Sequence, residues 1–263
     1  MPSTPVQEAA RRGAQVPVAV AVVAVSLLLG MASLTSAGLL SLALAAAVVV
    51  VAWGWAGALA LPTPRGTVGT ITVGGLALVA AVGLPAEGPW LSWVPAALSL
   101  AMLAAFTHQL LRRDGRPRVV TSVSAVVLAL GIVACGILMV PLSRTDEGVA
   151  LVVGSLAAAS ASALTDMAGR WAAMATWLTP LALLAGGAAA VATALVMDVP
   201  WTTWLLLGVA GAALSHAMRG IVAPLPAMSR PRPRLVAALT SVLVVGVVPY
   251  LTALVFLPDA LPL

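Results

Sequence analysis

Nine long apolar runs constrain this chain more than any other feature of its sequence. A helix needs about 20 predominantly apolar residues to cross a hydrocarbon layer of about 30 Å, and runs of this kind follow one another from Val16 to Leu257. With 62% hydrophobic and only 8% charged residues, the chain has more apolar surface than a water-soluble core can enclose. Backbone groups in lipid must be hydrogen-bonded within their own segment, so the runs are predicted to be helices. The expected fold class is all-α, a polytopic transmembrane helix bundle.

The predicted spans are joined by short segments rich in proline or polar residues. The spans cover residues 16–34, 38–60, 67–85, 90–111, 119–140, 148–168, 172–196, 201–218 and 235–257. Each joint is too short to hold a domain, so almost all of the chain is expected to lie within the membrane.

Arginine supplies all 13 basic side chains, and its distribution predicts the orientation of the chain. Short cytoplasmic loops carry an excess of positive charge. With the N-terminus in the cytoplasm, twelve arginines fall on cytoplasmic segments and only Arg144 falls outside. The external segments carry acidic residues instead, namely Glu87, Asp146, Glu147, Asp198 and Asp259. We therefore expect a multi-pass protein of the plasma membrane, the inner membrane of a bacterial cell, with a cytoplasmic N-terminus and an external C-terminus.

The first run has a second interpretation, a cleaved signal peptide with Thr35, Ser36 and Ala37 at the cleavage site. Its apolar stretch is longer than the roughly 7–15 residues typical of a signal peptide. Cleavage would leave eight predicted spans and would invert none of them.

Two similar stretches, PWLSW at 89–93 and PWTTW at 200–204, indicate an internal duplication. Each opens a span that ends in a histidine, AAFTH at 104–108 and AALSH at 212–216, and the chain has no other histidine. Units with an even number of spans share one orientation, so the copies are predicted to be parallel and related by an axis along the membrane normal. The alternative is a coincidence between interfacial tryptophans and two histidines.

The duplication divides the chain into four predicted parts. They are a cytoplasmic tail (1–15), a first four-helix repeat (16–115), a second four-helix repeat (116–220), and a basic, proline-rich loop with a ninth helix (221–263).

All eight tryptophans are predicted to be interface anchors, because an indole can bury its ring and keep its N–H near water. The external set is Trp90, Trp93, Trp201 and Trp204, and the cytoplasmic set is Trp53, Trp55, Trp171 and Trp177. A carbohydrate or lipid platform is the alternative for the external set.

Four polar residues near the cytoplasmic ends of helices form the candidate site: His108, His216, Asp166 and Arg170. Ionisable groups within spans are costly and usually face the bundle interior, which makes them functional candidates. The spacing of Asp166 and Arg170 suits an ion pair on one helix face. The two histidines are expected to approach each other across the repeat axis. The alternative for all four is a structural role at hydrated helix ends.

No sequence motif indicates a cofactor or a metal site. The chain lacks lysine, so it has no P-loop or Schiff-base lysine, and it also lacks HExxH, GxSxG and CxxC patterns. The small residues of GSLAAASASALT (154–165) predict a helix packing face or part of a polar path.

The expected partners are the lipid bilayer and its anionic head groups, with no nucleic acid. Juxtamembrane arginines attract anionic lipids by about 1 kcal/mol each. The arginines assigned to this contact are Arg112, Arg113, Arg116, Arg118, Arg230, Arg232 and Arg234.

Three functions fit the sequence. A small permease-like transporter, or a component of one, is favoured by the parallel duplication. A structural or assembly subunit, bound to a membrane-protein partner, is favoured by the short loops. An enzyme acting on a lipid head group at the inner leaflet is the least favoured, since no nucleophile or metal motif accompanies the polar residues.

The arginine asymmetry predicts opposite locations for the loops at Arg116 and Asp146. Reporter fusions at these two residues should show cytoplasmic activity at Arg116 and external activity at Asp146. Activity on the same side for both fusions would contradict the predicted orientation.

Overall fold

The computed structural model describes residues 5–112 and 118–261, with side-chain surroundings for all of these except 5–14, 170, 172 and 259. This part of the chain is all-helical. Its α-helices are α1 (Pro5–Thr35), α2 (Ala37–Ala58), α3 (Pro64–Gly83), α4 (Val94–Leu110), α5 (Val119–Ile137), α6 (Met139–Leu142), α7 (Asp146–Thr165), α8 (Leu178–Val196), α9 (Trp201–Val222), α10 (Pro231–Leu243) and α11 (Val247–Phe256). Short 3₁₀ helices cover Asp166–Arg170, Ala172–Trp177, Pro226–Ser229, Val244–Gly246 and Pro258–Ala260.

Eight helical segments in this part of the chain are long and apolar enough to cross a membrane, which fits a multi-pass membrane protein. They are Gln15–Thr35, Ala37–Ala58, Pro64–Gly83, Val119–Leu142, Asp146–Gly169, Ala173–Val196, Trp201–Val222 and Pro231–Phe256. The remaining apolar helix, α4, is shorter, with 17 residues. Eight of the nine predicted spans therefore have the length of a membrane-crossing helix, and the fourth is the short α4.

The fourth predicted span starts later than the sequence indicates. Residues 90–93 form turns, and α4 begins only at Val94. Pro95 lies in the first turn of α4, where a missing backbone N–H costs nothing. The stretch PWTTW, in contrast, starts α9 directly at Trp201. The two similar stretches thus differ in local structure.

Two predicted spans are interrupted near prolines. Pro141 cannot donate a hydrogen bond to the carbonyl of Ile137, where α5 ends and α6 follows. Pro249 likewise leaves the carbonyl of Val245 without a helical donor, and a 3₁₀ turn separates α10 from α11 there. The ninth span is therefore two short α-helices rather than the single helix expected.

The helices pack in two groups that α1 and α10 connect. Consecutive helices pack against each other in the group α2–α5 and in the group α7–α9, while α1 contacts α2, α7 and α10. Packing of consecutive helices is common in bundles, so it does not test the predicted duplication, which stays a prediction.

Glycines allow α8 and α9 to approach closely. A Cβ atom at Gly208 would lie 2.5 Å from the carbonyl oxygen of Gly186, and one at Gly186 would lie 3.0 Å from that of Gly208. Neither backbone can retreat without moving its helix. This contact therefore limits the separation of α8 and α9 at the point where the two glycines meet.

Gly208→Ala should destabilise the protein by about 1–3 kcal/mol, because the added methyl group overpacks the α8–α9 contact. Gly131→Ala is the matched control, since a Cβ on this α5 residue meets nothing within 4 Å. The control should be neutral or stabilise by up to about 1 kcal/mol. Thermal unfolding of the purified protein measures both effects, and equal stability of the two variants would contradict the close approach.

Candidate functional site

A buried ion pair joins the end of α7 to α9 at the arginine-rich end of the bundle, which holds Arg118, Arg219 and Arg232. The Nε–H of Arg219 donates to Oδ2 of Asp166 over 2.6 Å. The side chains are only 5% and 17% exposed, respectively. Asp166 caps the C-terminus of α7, where the chain changes to a 3₁₀ helix. The ion pair therefore holds the C-terminal end of α7 against α9.

Two buried serines accept the remaining hydrogen bonds of Arg219 in this structure. Nη1 donates to Oγ of Ser215, one turn earlier on α9, over 2.6 Å. Nη2 donates to Oγ of Ser162 on α7 over 2.9 Å. The Ser162 hydroxyl in turn donates to the carbonyl of Ala212 over 3.2 Å. A guanidinium presents five N–H donors in a fixed plane. Three of them are used here, two toward Asp166 and Ser162 at the α7 side and one within α9.

His216 lies between Asp166 and Thr179 of α8. Its Nδ1 is 3.0 Å from Oδ1 of Asp166, and its Nε2 is 3.2 Å from Oγ1 of Thr179. A hydrogen bond to a carboxylate favours the tautomer with the proton on Nδ1. Nε2 of the neutral ring is then an acceptor for the Thr179 hydroxyl. The carboxylate of Asp166 thus orients both His216 and Arg219.

A cavity of about 300 Å³ borders this network. Its polar lining comes from Asp166, His216, Arg219 and Gln15 of α1. The apolar and glycine lining consists of Val18, Leu178, Gly220, Val222, Ala223, Met228 and Ala237. Ligand sites in proteins are typically apolar cavities with a few convergent polar groups. The arrangement can therefore bind a small amphipathic molecule and hold a proton on His216.

The structure brings together two of the four predicted site residues, Asp166 and His216. His108 instead packs against Gly66 of α3. Its helix α4 contacts α3 and α5, whereas α9 contacts α7, α8 and α10. The two histidines belong to different helix groups, and the approach expected from the duplication is not observed.

Arg170, the fourth predicted residue, has a side chain outside the described part of the chain. Its backbone belongs to the 3₁₀ helix that begins at Asp166. The pair between Asp166 and Arg170 therefore stays a prediction. The ion-pair partner observed for Asp166 is Arg219.

Sequence reasoning missed Arg219 as a site residue and treated it as a determinant of topology. A signal was present, because Ser215, His216 and Arg219 fall on adjacent positions of one helix face. Ser162 was included only in the stretch predicted to be a helix packing face or part of a polar path. It does lie fully buried between α7 and α9, and its hydroxyl also belongs to the Arg219 network.

Two of the eight predicted interface tryptophans are core residues, and the anchor assignment is wrong for them. Trp55 is 2% exposed and donates its indole N–H to the carbonyl of Ala125 over 2.8 Å. Trp204 is also 2% exposed and packs over Gly154, whose missing side chain leaves room for the ring. An indole finds an apolar environment inside the bundle as readily as in lipid.

The other tryptophans have the exposure that an interface anchor requires, and that role stays a prediction for them. The exposed members are Trp53, Trp93, Trp171, Trp177 and Trp201.

Trp90 is half-buried under the guanidinium of Arg144, whose Cζ lies 3.6 Å from the centroid of the indole ring. Desolvation lowers the pKa of Arg144 from the usual value for arginine. Cation–π contacts of this kind stabilise by about 0.5–2 kcal/mol.

Several arginines predicted to meet anionic lipid have protein partners. Arg118 donates to the carbonyl of Ala60 over 3.0 Å, and Arg112 is buried and donates to Gln109 over 2.6 Å. Arg234 donates to the carbonyls of Met228 and Ser229. Arg232 lies over Trp53, Arg230 is exposed, and Arg113 and Arg116 lie outside the described residues. Contact with lipid head groups stays a prediction for this set.

Comparisons with protein-family models, curated proteins and solved structures gave no match. The functional argument therefore depends on the geometry of the network and of the cavity.

Asp166 and Arg219 should show strong energetic coupling. Removing one partner of a buried ion pair leaves an uncompensated charge and typically costs about 3–5 kcal/mol. Asp166→Asn and Arg219→Gln should each lower the thermal stability, and the double variant should lose less than the sum. Arg230→Gln, at an exposed position, is the control and should have little effect.

Strict additivity of Asp166→Asn and Arg219→Gln would contradict the coupling. The same cycle with Arg170→Gln tests the pair predicted from the sequence.

Proposed function

We propose that the chain is a small permease-like transport protein and that the cavity beside Asp166, His216 and Arg219 is its solute site. One observation carries the proposal. A nearly fully buried arginine in a helix long enough to cross a membrane borders a cavity of ligand size. Ionisable groups at such positions usually line substrate or ion pathways.

The energetic cost of the network favours a role in binding over a role in packing. Replacing a buried ion pair with apolar residues of similar volume is often neutral or stabilising. An apolar contact between α7 and α9 would therefore hold the bundle at least as well. Retaining Asp166, His216 and Arg219 beside an open space is explained by a ligand that uses them.

The position of the cavity also favours transport. One part of its lining comes from α8, α9 and Asp166 at the end of α7. The other part comes from α1 and α10. A displacement of the α7–α9 group relative to α1 and α10 would change the access of solvent to the cavity. Alternating access in transporters works through such movements of one helix group against another.

An enzyme acting on lipid head groups is the second candidate, favoured by the chain of contacts from Asp166 through His216 to Thr179. A carboxylate, an imidazole and a hydroxyl in this order can activate the hydroxyl as a nucleophile. The same carboxylate is committed to Arg219, which supports a binding role for the network more than a catalytic one.

Access to the cavity from both sides of the membrane tests the proposal without knowledge of the solute. Val18 lines the cavity, so Val18→Cys in a Cys135→Ala background places a thiol there. A membrane-impermeant thiol reagent should label it in right-side-out and in inside-out vesicles, since a permease opens its site to each side in turn.

Two exposed positions are controls for sidedness. Ser229→Cys, at the arginine-rich end, and Glu87→Cys, in the loop before α4, should each react from one side only, and from opposite sides. Labelling of Val18→Cys from the arginine-rich side alone would overturn transport and leave the enzyme as the better candidate. No labelling from either side would show that the cavity is closed to solutes.

A further inference from the structure

We propose that the cavity binds a small organic anion with an apolar tail and that His216 takes up a proton when the anion binds. The inference rests on the proposed use of the cavity as a solute site and adds the class of solute and the coupled ion.

Among the side chains with described surroundings, the charges that line the cavity cancel until His216 is protonated. Asp166 and Arg219 carry opposite charges and are in direct contact. With a neutral imidazole the three side chains sum to zero, and with an imidazolium they sum to one positive charge. An anion in the cavity therefore favours the protonated form, and the protonated form favours the anion.

His216 has a hydrogen-bond partner in both protonation states. Nδ1 can donate to the carboxylate of Asp166 whether or not the ring is charged. Nε2 accepts from the Thr179 hydroxyl when neutral and donates to its oxygen when protonated. A threonine hydroxyl can rotate to serve as donor or acceptor. Uptake of a proton thus needs no rearrangement of side chains.

Arg219 supplies the donors for the anion. Three of its five N–H groups have acceptors on Asp166, Ser215 and Ser162, which leaves one N–H on each terminal nitrogen. A carboxylate can accept from two N–H groups of one guanidinium. Because Asp166 already holds Nε, the guanidinium keeps its orientation while the solute enters and leaves.

The apolar part of the lining determines what the uncharged end of the solute can be. Val18, Leu178, Val222 and Met228 offer apolar contacts, and Gln15 is the one further polar side chain among the described lining residues. A fully hydrophilic anion would lose its hydration against these side chains without compensation. An anion with a short hydrocarbon tail fits both parts of the cavity.

No other ionisable side chain with described surroundings competes for His216. The 3₁₀ helix after α7 contributes Asp166, α9 itself contributes Arg219, and α8 contributes Thr179 but no charged residue. On α10, Arg232 lies over Trp53 and Arg234 binds backbone carbonyls of Met228 and Ser229. The remaining ionisable residues of α7 and α11 lie toward the opposite end: Asp146, Glu147 and Tyr250.

Octanoate is the probe, titrated into the full chain in phosphatidylcholine nanodiscs, with empty nanodiscs subtracted. Calorimetry in two buffers of different ionisation enthalpy gives the number of protons taken up. Binding should take up about one proton per anion and weaken up to tenfold per unit of rising pH once the free imidazole is neutral. His216→Asn, which can keep a donor toward Asp166, should bind octanoate without proton uptake.

A second pair of variants tests the cavity without altering the charges. Gly220 lines the cavity and a Cβ there meets nothing within 4 Å, so the side chain of Gly220→Leu starts in open space and should fill part of the cavity and block binding. Gly57→Leu is the control, because Gly57 has the same free space and does not line the cavity. Octanoate binding should be lost in the first variant and retained in the second.

Absence of octanoate binding at low pH, unchanged proton uptake in His216→Asn, or equal binding by Gly220→Leu would each overturn the inference. Phosphatidylglycerol nanodiscs distinguish the source of the anion. If the site binds a lipid head group, phosphatidylglycerol should displace octanoate; if it binds a free solute, octanoate should stay bound. The outcome is separable from that of the transport proposal. Two-sided labelling of Val18→Cys without octanoate binding rejects only the solute class, and octanoate binding with one-sided labelling rejects only transport.

Discussion

The arginine-rich end of the bundle depends on one interaction, the ion pair between Asp166 and Arg219. Its carboxylate lies where α7 ends, and it holds the guanidinium through Nε and the imidazole of His216 through Nδ1. Ser162 and Ser215 are fully buried, and both accept hydrogen bonds from the same guanidinium. Without Arg219 each of these buried hydroxyls would lose a hydrogen-bond donor. One ion pair therefore orients three further side chains, Ser162 of α7 and Ser215 and His216 of α9.

The polar contacts at this end depend in turn on apolar packing further along the helices. His216 reaches Thr179 because α8 and α9 run close together, and that separation is set where Gly186 and Gly208 meet. Small residues let helix backbones approach where no hydrophobic force drives them together. A larger residue at Gly208 would move α8 away from α9 and lengthen the contact between Nε2 and Oγ1. The glycine contact in the middle of the bundle thus determines the geometry of the imidazole at its end.

Hydropathy alone predicted the helical architecture, because the length of an apolar run directly limits what it can form in a bilayer. Hydropathy could not predict whether Trp55 and Trp204 face the bundle interior or the lipid, since both surroundings are apolar. In the structure both are buried in the interior. The interruptions at Pro141 and Pro249 had a visible cause, a missing N–H, yet a hydropathy window averages over it. The partner of Asp166 was hidden for another reason: Arg219 is 53 residues away in the chain, while Arg170 lies at a spacing that suggests a local pair. Local spacing cannot reveal an ion pair that only the packing of α7 against α9 creates.

The depth of the network explains how a charged site can exist in so apolar a protein. His216 lies 15 residues after Trp201, about 22 Å along α9, and therefore near the end of the span. At this depth an ionised group is close to water, so its desolvation costs far less than at the bilayer centre. The cavity beside it has room for water when no solute is bound. Asp166 is the permanent counter-charge of Arg219, so in the proposed site the charge of a bound anion would be balanced by the proton that His216 takes up.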